Sequence, residues 1–498
     1  MLRNVWTRYR VISFRHSRKY SSVESEEIST PFFDEYDETS RIHQVPPTGS
    51  ALFRESEHFT PLVKPDPKFY WDAIQHSLNA RGLSDQFNLE QLRDLRRQIE
   101  DIHEQIGLVE AKRKEHQKVY EATKQDSEDA RLQARRLRTE YQQLKRLARE
   151  LLPQFLRPAL AIPNVLHTDC PVTDKSRLVL QFIQHPVGKA IEWSTVQDDL
   201  HITPIGVYLT GQLTHIERTH LNLACERWLH GDFTVPNYLI RLSDIVRGPV
   251  VEGSSWFPME EAIRLEPSHS DLVRIPSESD SVSSSARFLV NPYTSCYLVG
   301  SASLPSFVAY LMRQKLKTDT PLPLRLVSLG TFYDRRNSSA NTTRQTAVGL
   351  HSPRFVQGKQ LSVMELSSSW HSCESGFHQL VDDVCRFWAN YQPTWPLRLV
   401  YVSAKALAPC EMIRAVVELI PNDNDNATQN GRICPIQLAS VSLLDDWVSR
   451  RVLAKVDRMA TDGDQVSSYV RMNYVQVIDF NSLLNAFQQT GTLTVSSL

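Results

Sequence analysis

The sequence predicts an α+β fold: an N-terminal antiparallel coiled-coil arm, then a domain built on an antiparallel β-sheet flanked by helices. Three observations predict it. Apolar residues recur at heptad spacing in two stretches between residues 92 and 151. A series of short β-branched and aromatic runs follows residue 153. Two long segments with apolar residues on one side lie among those runs. At 498 residues with 41% hydrophobic and 23% charged positions, the chain is long enough for two or three globular units.

Residues 1–22 differ in kind from the rest. Arg3, Arg8, Arg10, Arg15, Arg18 and Lys19 are interspersed with Leu2, Val5, Trp6, Tyr9, Val11, Ile12 and Phe14, and no acid appears before Glu24. That composition predicts a mitochondrial presequence, and "RKYSS" at 18–22 resembles a matrix-processing site after Tyr20. A basic tail without a targeting role is the competing reading. Residues 23–87 form a lead-in and the start of the arm domain, with solvated acidic segments up to about residue 45.

The arm occupies residues 88–152. Leu92, Leu95, Ile99, Ile102, Ile106 and Val109 are spaced 3, 4, 3, 4, 3, which makes one apolar seam along a helix. Ala130, Ala134, Leu137, Tyr141, Leu144, Ala148 and Leu151 make a second. The polar stretch 123–129 breaks the phase between them, so a hairpin closed at its base by Pro153 is expected; one straight helix in a parallel dimer is the alternative. Residues 131–149 hold seven basic side chains against Glu140 alone. Arg131, Arg138 and Lys145 recur every seventh residue, with Arg135 and Arg149 on a neighbouring line. Such a stripe suits a phosphate backbone, and a solvated helix face accounts for it equally well.

From residue 153 to 498 the pattern is mixed. "SRLVLQFI", "IGVYLTG", "RFLVNP", "CYLVGS", "LRLVSLGTFY", "LRLVYVS", "AVVELI" and "IQLASVSLL" read as strands; 214–231 and 374–391 read as helices. The Ser-rich stretch 276–287 and the Asn/Asp-rich 421–431 read as loops. Lys plus Arg is 56 against 57 acids, so any basic surface is local. Cys170, Cys225, Cys296, Cys373, Cys385, Cys410 and Cys434 form no C-x-x-C pair, which argues for a reducing compartment without a zinc site. No membrane span is expected, because no run of about 18 apolar residues occurs. Sequons at Asn337, Asn341 and Asn426 carry no weight in a matrix protein.

The order of these parts resembles the seryl-tRNA synthetases, a family of class II aminoacyl-tRNA synthetases. "IPNVLHTDCPVTD" at 162–174 resembles the segment that follows that family's tRNA-binding arm. "THIERTHLNLACERWL" resembles its motif 1 helix, and "SVSLLDDWVSRR" at 440–451 resembles its serine-rich segment ending in two arginines. The resemblance implies a class II synthetase-like domain and a dimer interface on the motif 1 helix, with Ile216, Leu223 and Trp228 shared between core and interface.

The residues that would do the chemistry are absent. Seryl-adenylate formation needs a positive clamp on ATP, a carboxylate on the metal and an acid facing the serine ammonium. The family's Thr-Ala-Glu segment becomes "GSAS", with Ser303 for the glutamate. The motif 2 arginine and glutamate positions hold Tyr333 and Arg335. Counting back from Arg450 and Arg451, the metal-binding glutamate becomes Gln437, although Ser440 and Asp446 remain. Anchored on "AFQQ" at 486–489, Ile478 falls where the last motif has its arginine. Glu365, which matches the glutamate closing motif 2, is retained and is expected to be structural.

Presequence, layout and lost charges together resemble a catalytically degenerate paralogue of mitochondrial seryl-tRNA synthetase. This implies a non-catalytic matrix protein without cofactor or metal, paired with the active mitochondrial seryl-tRNA synthetase as a heterodimer and in contact with tRNA(Ser) or another RNA. A stand-alone homodimeric RNA-binding protein is one alternative. Altered chemistry at an anion site made by Arg335, Arg336, Arg344 and Arg354 is another.

Overall fold

The computed structural model describes residues 71–123, 128–182, 189–203, 206–231, 233–256, 262–265, 272–274, 288–290, 296–317, 319–335, 355–420, 435–459 and 465–495. The presequence and acidic lead-in, the 276–287 and 421–431 segments, the three sequons, and Arg336, Arg344 and Arg354 lie outside them. Among the described residues no helix is long and apolar enough to cross a membrane.

Helix α1 (Trp71–Arg81) precedes the arm, which is a hairpin of α2 (Leu89–Thr123) and α3 (Glu128–Ala161). The first seam is buried along its length, from Leu92 to Val109. In the second, Leu137 is buried and Tyr141, Leu144, Ala148 and Leu151 are half-buried, whereas Ala134 is exposed. The Tyr141 hydroxyl donates to Glu110 Oε1 at 2.8 Å, and Arg113 lies 4.8 Å over the Tyr141 ring. These contacts set the antiparallel register.

The structure corrects the base of the hairpin. Helix α3 does not stop at Pro153 but runs through both Pro153 and Pro158 to Ala161. A proline inside a helix costs about 3 kcal/mol. Beyond Pro153, however, Phe155, Leu156, Ala159 and Leu160 are buried against Ile74 and Leu78 of α1 and the root of α2. Burying large apolar side chains at about 1.5–3 kcal/mol each outweighs the broken ladder.

The body is an eight-stranded sheet. Its strands are β1 (Arg177–Phe182), β2 (Asn237–Leu239), β3 (Leu324–Arg335), β4 (Phe355–Ser367), β5 (Leu397–Tyr401), β6 (Ile413–Leu419), β7 (Ile436–Asp445) and β8 (Arg471–Asp479). They lie in the order β1-β5-β6-β7-β8-β4-β3-β2. All neighbours are antiparallel except β2 and β3, which are parallel. Each segment read as a strand forms one. The pattern missed β2, β4 and β8, the last two of which lie side by side at the sheet's centre.

A core covers each face. On one, Val327, Leu361, Val363, Val475 and Val477 pack under α4 (Gly211–His230), and under helices introduced later in the chain at Trp370–Tyr391 and Phe480–Thr490. On the other, Leu326, Met364, Leu366, Met472 and Tyr474 pack under α5 (Gly248–Ser254), α6 (Leu304–Leu311) and Trp447–Val452. In chain order those three later helices are α7 (Trp370–Tyr391), α8 (Trp447–Val452) and α9 (Phe480–Thr490). The two faces are called here the α7 face and the α6 face. Helix α7 ends at Tyr391 as its periodicity predicts but starts one turn earlier than expected, at Trp370 rather than 374, because Ser369 caps it: its hydroxyl accepts from the Ser372 amide at 3.2 Å.

Candidate functional site

The segment Gly300–Ser303 leads into α6 and lies on the α6 face of the sheet. It is held from several directions. Gly300 has φ +89°, and a Cβ there would meet the Thr331 carbonyl oxygen at 2.4 Å, so backbone approaches backbone as only glycine allows. The Ala302 amide donates to Thr331 O at 3.0 Å. Ala302 O in turn accepts from Gln360 Nε2 at 2.7 Å and from the Tyr474 hydroxyl at 3.1 Å. Ser328 Oγ donates to Ser301 O at 2.9 Å, and the Ser301 amide donates to Asp244 Oδ1 at 2.7 Å. Asp244 also accepts from the Thr331 hydroxyl. Burial pushes this carboxyl up, but the bonds from Thr331 and Ser301 outweigh it and hold it below the usual range.

Ser303 is 7% exposed, and its hydroxyl donates to Gly300 O at 2.7 Å. It closes the turn into α6 and acts as local structure. Gln360 continues into a polar row: Gln476 Nε2 donates to Gln360 Oε1 at 3.2 Å, Ser440 pairs with Gln476 across the strands, and the Ser362 hydroxyl, 3.1 Å away, donates to the Tyr474 oxygen, whose own proton goes to Ala302 O. The floor on this side of β4, β7 and β8 is therefore amide and hydroxyl.

The other predicted positions fall in different places. Tyr333 is half-buried on β3. Arg335 ends the same strand. Gln437 lies opposite Glu418 in the β6–β7 register, and Glu418 is bonded to Arg398 Nε at 3.0 Å. Burial pushes the Glu418 carboxyl up, with Arg398 opposing it. Ile478 is fully buried and belongs to the core of the α7 face. A bulge between Leu361 and Ser362 in the β4–β8 pairing puts Ile478 opposite Leu361, whereas Gln476 keeps to the α6 face. Gln476, and not Ile478, thus joins Tyr474 as a β8 residue on the side of the Gly300–Ser303 segment.

Asp446 starts α8 and is bonded to Arg450 at 2.6 Å. Its neighbour Asp445, with φ +54°, is bonded to Arg471. Burial, and then the adjacent Asp446, raises the Asp445 carboxyl to about 6. Among the described residues no group of three His, Cys, Asp or Glu converges as a metal set.

Glu365 is structural in the plainest sense. Both it and Arg325 are 0% exposed; Arg325 Nε donates to Glu365 Oε2 at 2.8 Å and Nη1 to Asp383 Oδ2 at 3.0 Å. Asn473 Nδ2 donates to the second Glu365 oxygen at 3.1 Å. Helix α7 passes so close that a Cβ at Gly376 would meet Glu365 Oε1 at 1.9 Å. Sequence reasoning missed Arg325 and Asp383. The available signal was an arginine inside the apolar run "LRLVSL".

Ile216, Leu223 and Trp228, expected to serve both core and interface, are 4%, 7% and 0% exposed within the single chain. They fill the core of the α7 face, and the surface that α4 leaves to solvent is polar: Thr214, His215, Arg218, Asn222 and Glu226. On the arm, Arg131, Arg135, Arg138 and Arg149 are exposed. Lys145 is half-buried, with its ammonium 4.5 Å over the Tyr141 ring.

No family model matches the chain. It is 22% identical over 399 residues to the Serine--tRNA synthetase-like protein Slimp of Drosophila melanogaster, covering 77% of this chain and 76% of that protein. Among solved structures it is similar to seryl-tRNA synthetase from Pyrococcus horikoshii complexed with ATP, with TM-score 0.62 and 13% identity over 86% of this chain and 98% of that one. It is also similar to the cytoplasmic serine-tRNA ligase from Naegleria fowleri in complex with AMP, with TM-score 0.58 and 12% identity over 88% and 92%. The chain has a seryl-tRNA synthetase-like fold.

Proposed function

We propose that this seryl-tRNA synthetase-like chain is a non-catalytic subunit of the mitochondrial matrix. In this reading it pairs with the active mitochondrial seryl-tRNA synthetase, stabilises it and so supports mitochondrial translation, while its arm contacts tRNA. The observation that carries the reading is the chemistry of the α6 face. Adenylate formation needs fixed charges there, but Ser303 is a turn hydroxyl, Gln360 and Gln476 are amides bonded to each other, and Ile478 faces the opposite core. An amide at Gln437 is a poor substitute for a carboxylate at a hard cation, so these residues do not fit a metal–triphosphate. Losing one such contact commonly slows a reaction about 10²- to 10³-fold, and several are missing together. The synthetase-like name of the Drosophila relative agrees with this reading.

A chain that keeps the fold without the chemistry retains value as a partner, because binding to the native state of an active subunit stabilises it by mass action. Co-expression with the mitochondrial seryl-tRNA synthetase of the same organism should give a 1:1 complex in which serylation depends on the partner alone. The purified chain should show no serine-dependent pyrophosphate exchange. Separate elution of the two chains would leave the second reading, a stand-alone homodimeric RNA-binding protein. The exposed row of Arg131, Arg135 and Arg138 on α3 favours RNA contact in either case. Alanine at Arg131, Arg138 and Lys145 should lower the salt slope of RNA binding by up to about three. An unchanged slope returns these side chains to a solvated face.

A further inference from the structure

The arm meets the body through buried polar groups. The apolar cluster at the arm root is separate from those of the sheet, and they touch where Leu453 packs against the first and Ala80 of α1 against the cluster of the α7 face. Apolar contact is non-directional, and two units joined by little of it ordinarily move relative to each other. At this joint, however, Arg81 at the end of α1 and Arg451 in α8 are 7% and 8% exposed. Among the described residues neither forms an ion pair with a carboxylate; both donate to main-chain carbonyls.

The two arginines reach across the joint in opposite directions. From the arm side, Arg81 donates through Nη1 to Ala408 O at 3.2 Å and through Nη2 to Glu411 O, both in the loop between β5 and β6. From the body side, Arg451 donates through Nη2 to Leu160 O at 3.2 Å and Ile162 O at 3.3 Å, at the C-terminal end of α3. A cation suits that end, where helix carbonyls lack partners within the helix. Between the two, Asn164 donates through Nδ2 to Cys410 O at 2.9 Å and Leu444 O at 2.8 Å, and through its amide to Pro409 O at 2.7 Å. The receiving loop is itself held. The fully buried Glu411 carboxylate accepts from the Ala408 amide at 2.7 Å and from the Ser442 hydroxyl of β7 at 2.6 Å.

Burying a cation without a counter-charge is costly, and burial pushes the Arg451 guanidinium down to about 9. What the charge supplies in return is direction. Charge-assisted bonds are strong and aligned, and a main-chain carbonyl, unlike a side chain, cannot swing away without moving the backbone. We infer that Arg81, Asn164 and Arg451 form a rigid lock that fixes the direction of the arm relative to the sheet. They are positioning residues of the arm, and the arm does not hinge at its root. On the proposed RNA contact, an RNA gripped by Arg131, Arg135 and Arg138 is then held at one set angle to the body.

Distances between paired spin labels on the full chain, diluted with unlabelled chain, test the lock. Nitroxides on unnatural amino acids are placed at Gln133 on the arm and Ser375 on α7, both exposed, with a second pair at Gln197 and Ser375 within the body. The arm-to-body distribution should be as narrow as the one within the body. Asn164→Ala with Arg451→Met, which keeps an apolar side chain against Trp447, should widen the first about twofold or more and leave the second unchanged. A merely structural role would lower the melting temperature without that selective widening. Arg81→Met should widen it less, since the other two residues remain. An arm-to-body distribution in the parent broader than the one within the body overturns the inference whether or not the variants fold. So does a double variant as narrow as the parent. The measurement uses neither RNA nor partner, so its failure leaves the RNA contact standing, and an unchanged salt slope of RNA binding leaves the lock standing.

Discussion

The two faces of the central sheet use polar side chains in opposite ways. On the α7 face the charges are full and buried: Arg325 lies between Glu365 and Asp383, all within 5% exposure, beside a neutral pair of His220 and the Tyr391 hydroxyl between α4 and α7. On the α6 face the row beside the Gly300–Ser303 segment is neutral: Gln476 bonds Gln360, Gln360 and Tyr474 bond Ala302 O, and Ser362 bonds Tyr474. A buried charge survives where its partners are supplied by the same fold. An amide or hydroxyl needs only a neutral partner, which neighbouring strands and a backbone carbonyl supply.

The comparison is broken most severely by removing the cation on the α7 face. Arg325→Met should cost about 3–5 kcal/mol, because Glu365 is left fully buried without a counter-charge and Asp383 keeps only the partly exposed Arg386. A urea midpoint close to the parent's would mean that the two acids find other partners and that the triad holds little together.

The pH dependence of folding sharpens the same contrast. Burial lowers the His220 imidazole to about 4, against an ordinary value of 6.5. The unfolded chain therefore takes up a proton below about pH 6.5 that the native chain refuses. Stability from this residue is complete above that pH and is lost as pH falls toward 4, by about 3 kcal/mol across the window. Acid titration of stability for the parent and for His220→Gln measures it; parallel curves between pH 6.5 and 4 would refute the assignment.

The smallest effect belongs to the neutral face. Gln360→Ala removes one of two donors to Ala302 O, and Tyr474 continues to satisfy that oxygen, so the cost should be about 1 kcal/mol. Combining it with Tyr474→Phe, which leaves the carbonyl with neither donor, should cost more than the sum of the single changes, as a double-mutant cycle reads directly. Additive losses would mean that the two donors act independently.

Legibility in the sequence followed the range of the interactions. The first arm seam could be read because six apolar residues at 3-and-4 spacing need only one neighbouring helix to be buried. The strands with apolar runs were legible for the same reason. Strands β4 and β8 escaped because their inward positions carry Gln360, Ser362, Glu365, Asn473 and Gln476, which look solvent-facing until distant partners are supplied. Asn473 lies 108 residues from Glu365, and Tyr474 lies 172 from Ala302.

The candidate site divides the same way. That Ser303, Tyr333, Gln437 and Ile478 carry no acidic or basic side chain is a matter of residue identity, and the sequence alone determines it, as it does the heptad phase of the arm and its basic stripe. Only the tertiary structure decided that a bulge turns Ile478 away and leaves Gln476 on the α6 face, that Glu365 is bound to Arg325, and that α3 continues past two prolines to bury Phe155 and Leu160. Local spacing sets which side of a helix or strand a residue occupies. The fate of a buried polar group, or of a proline inside a helix, depends on what the rest of the chain brings against it, and that is settled only when remote segments pack.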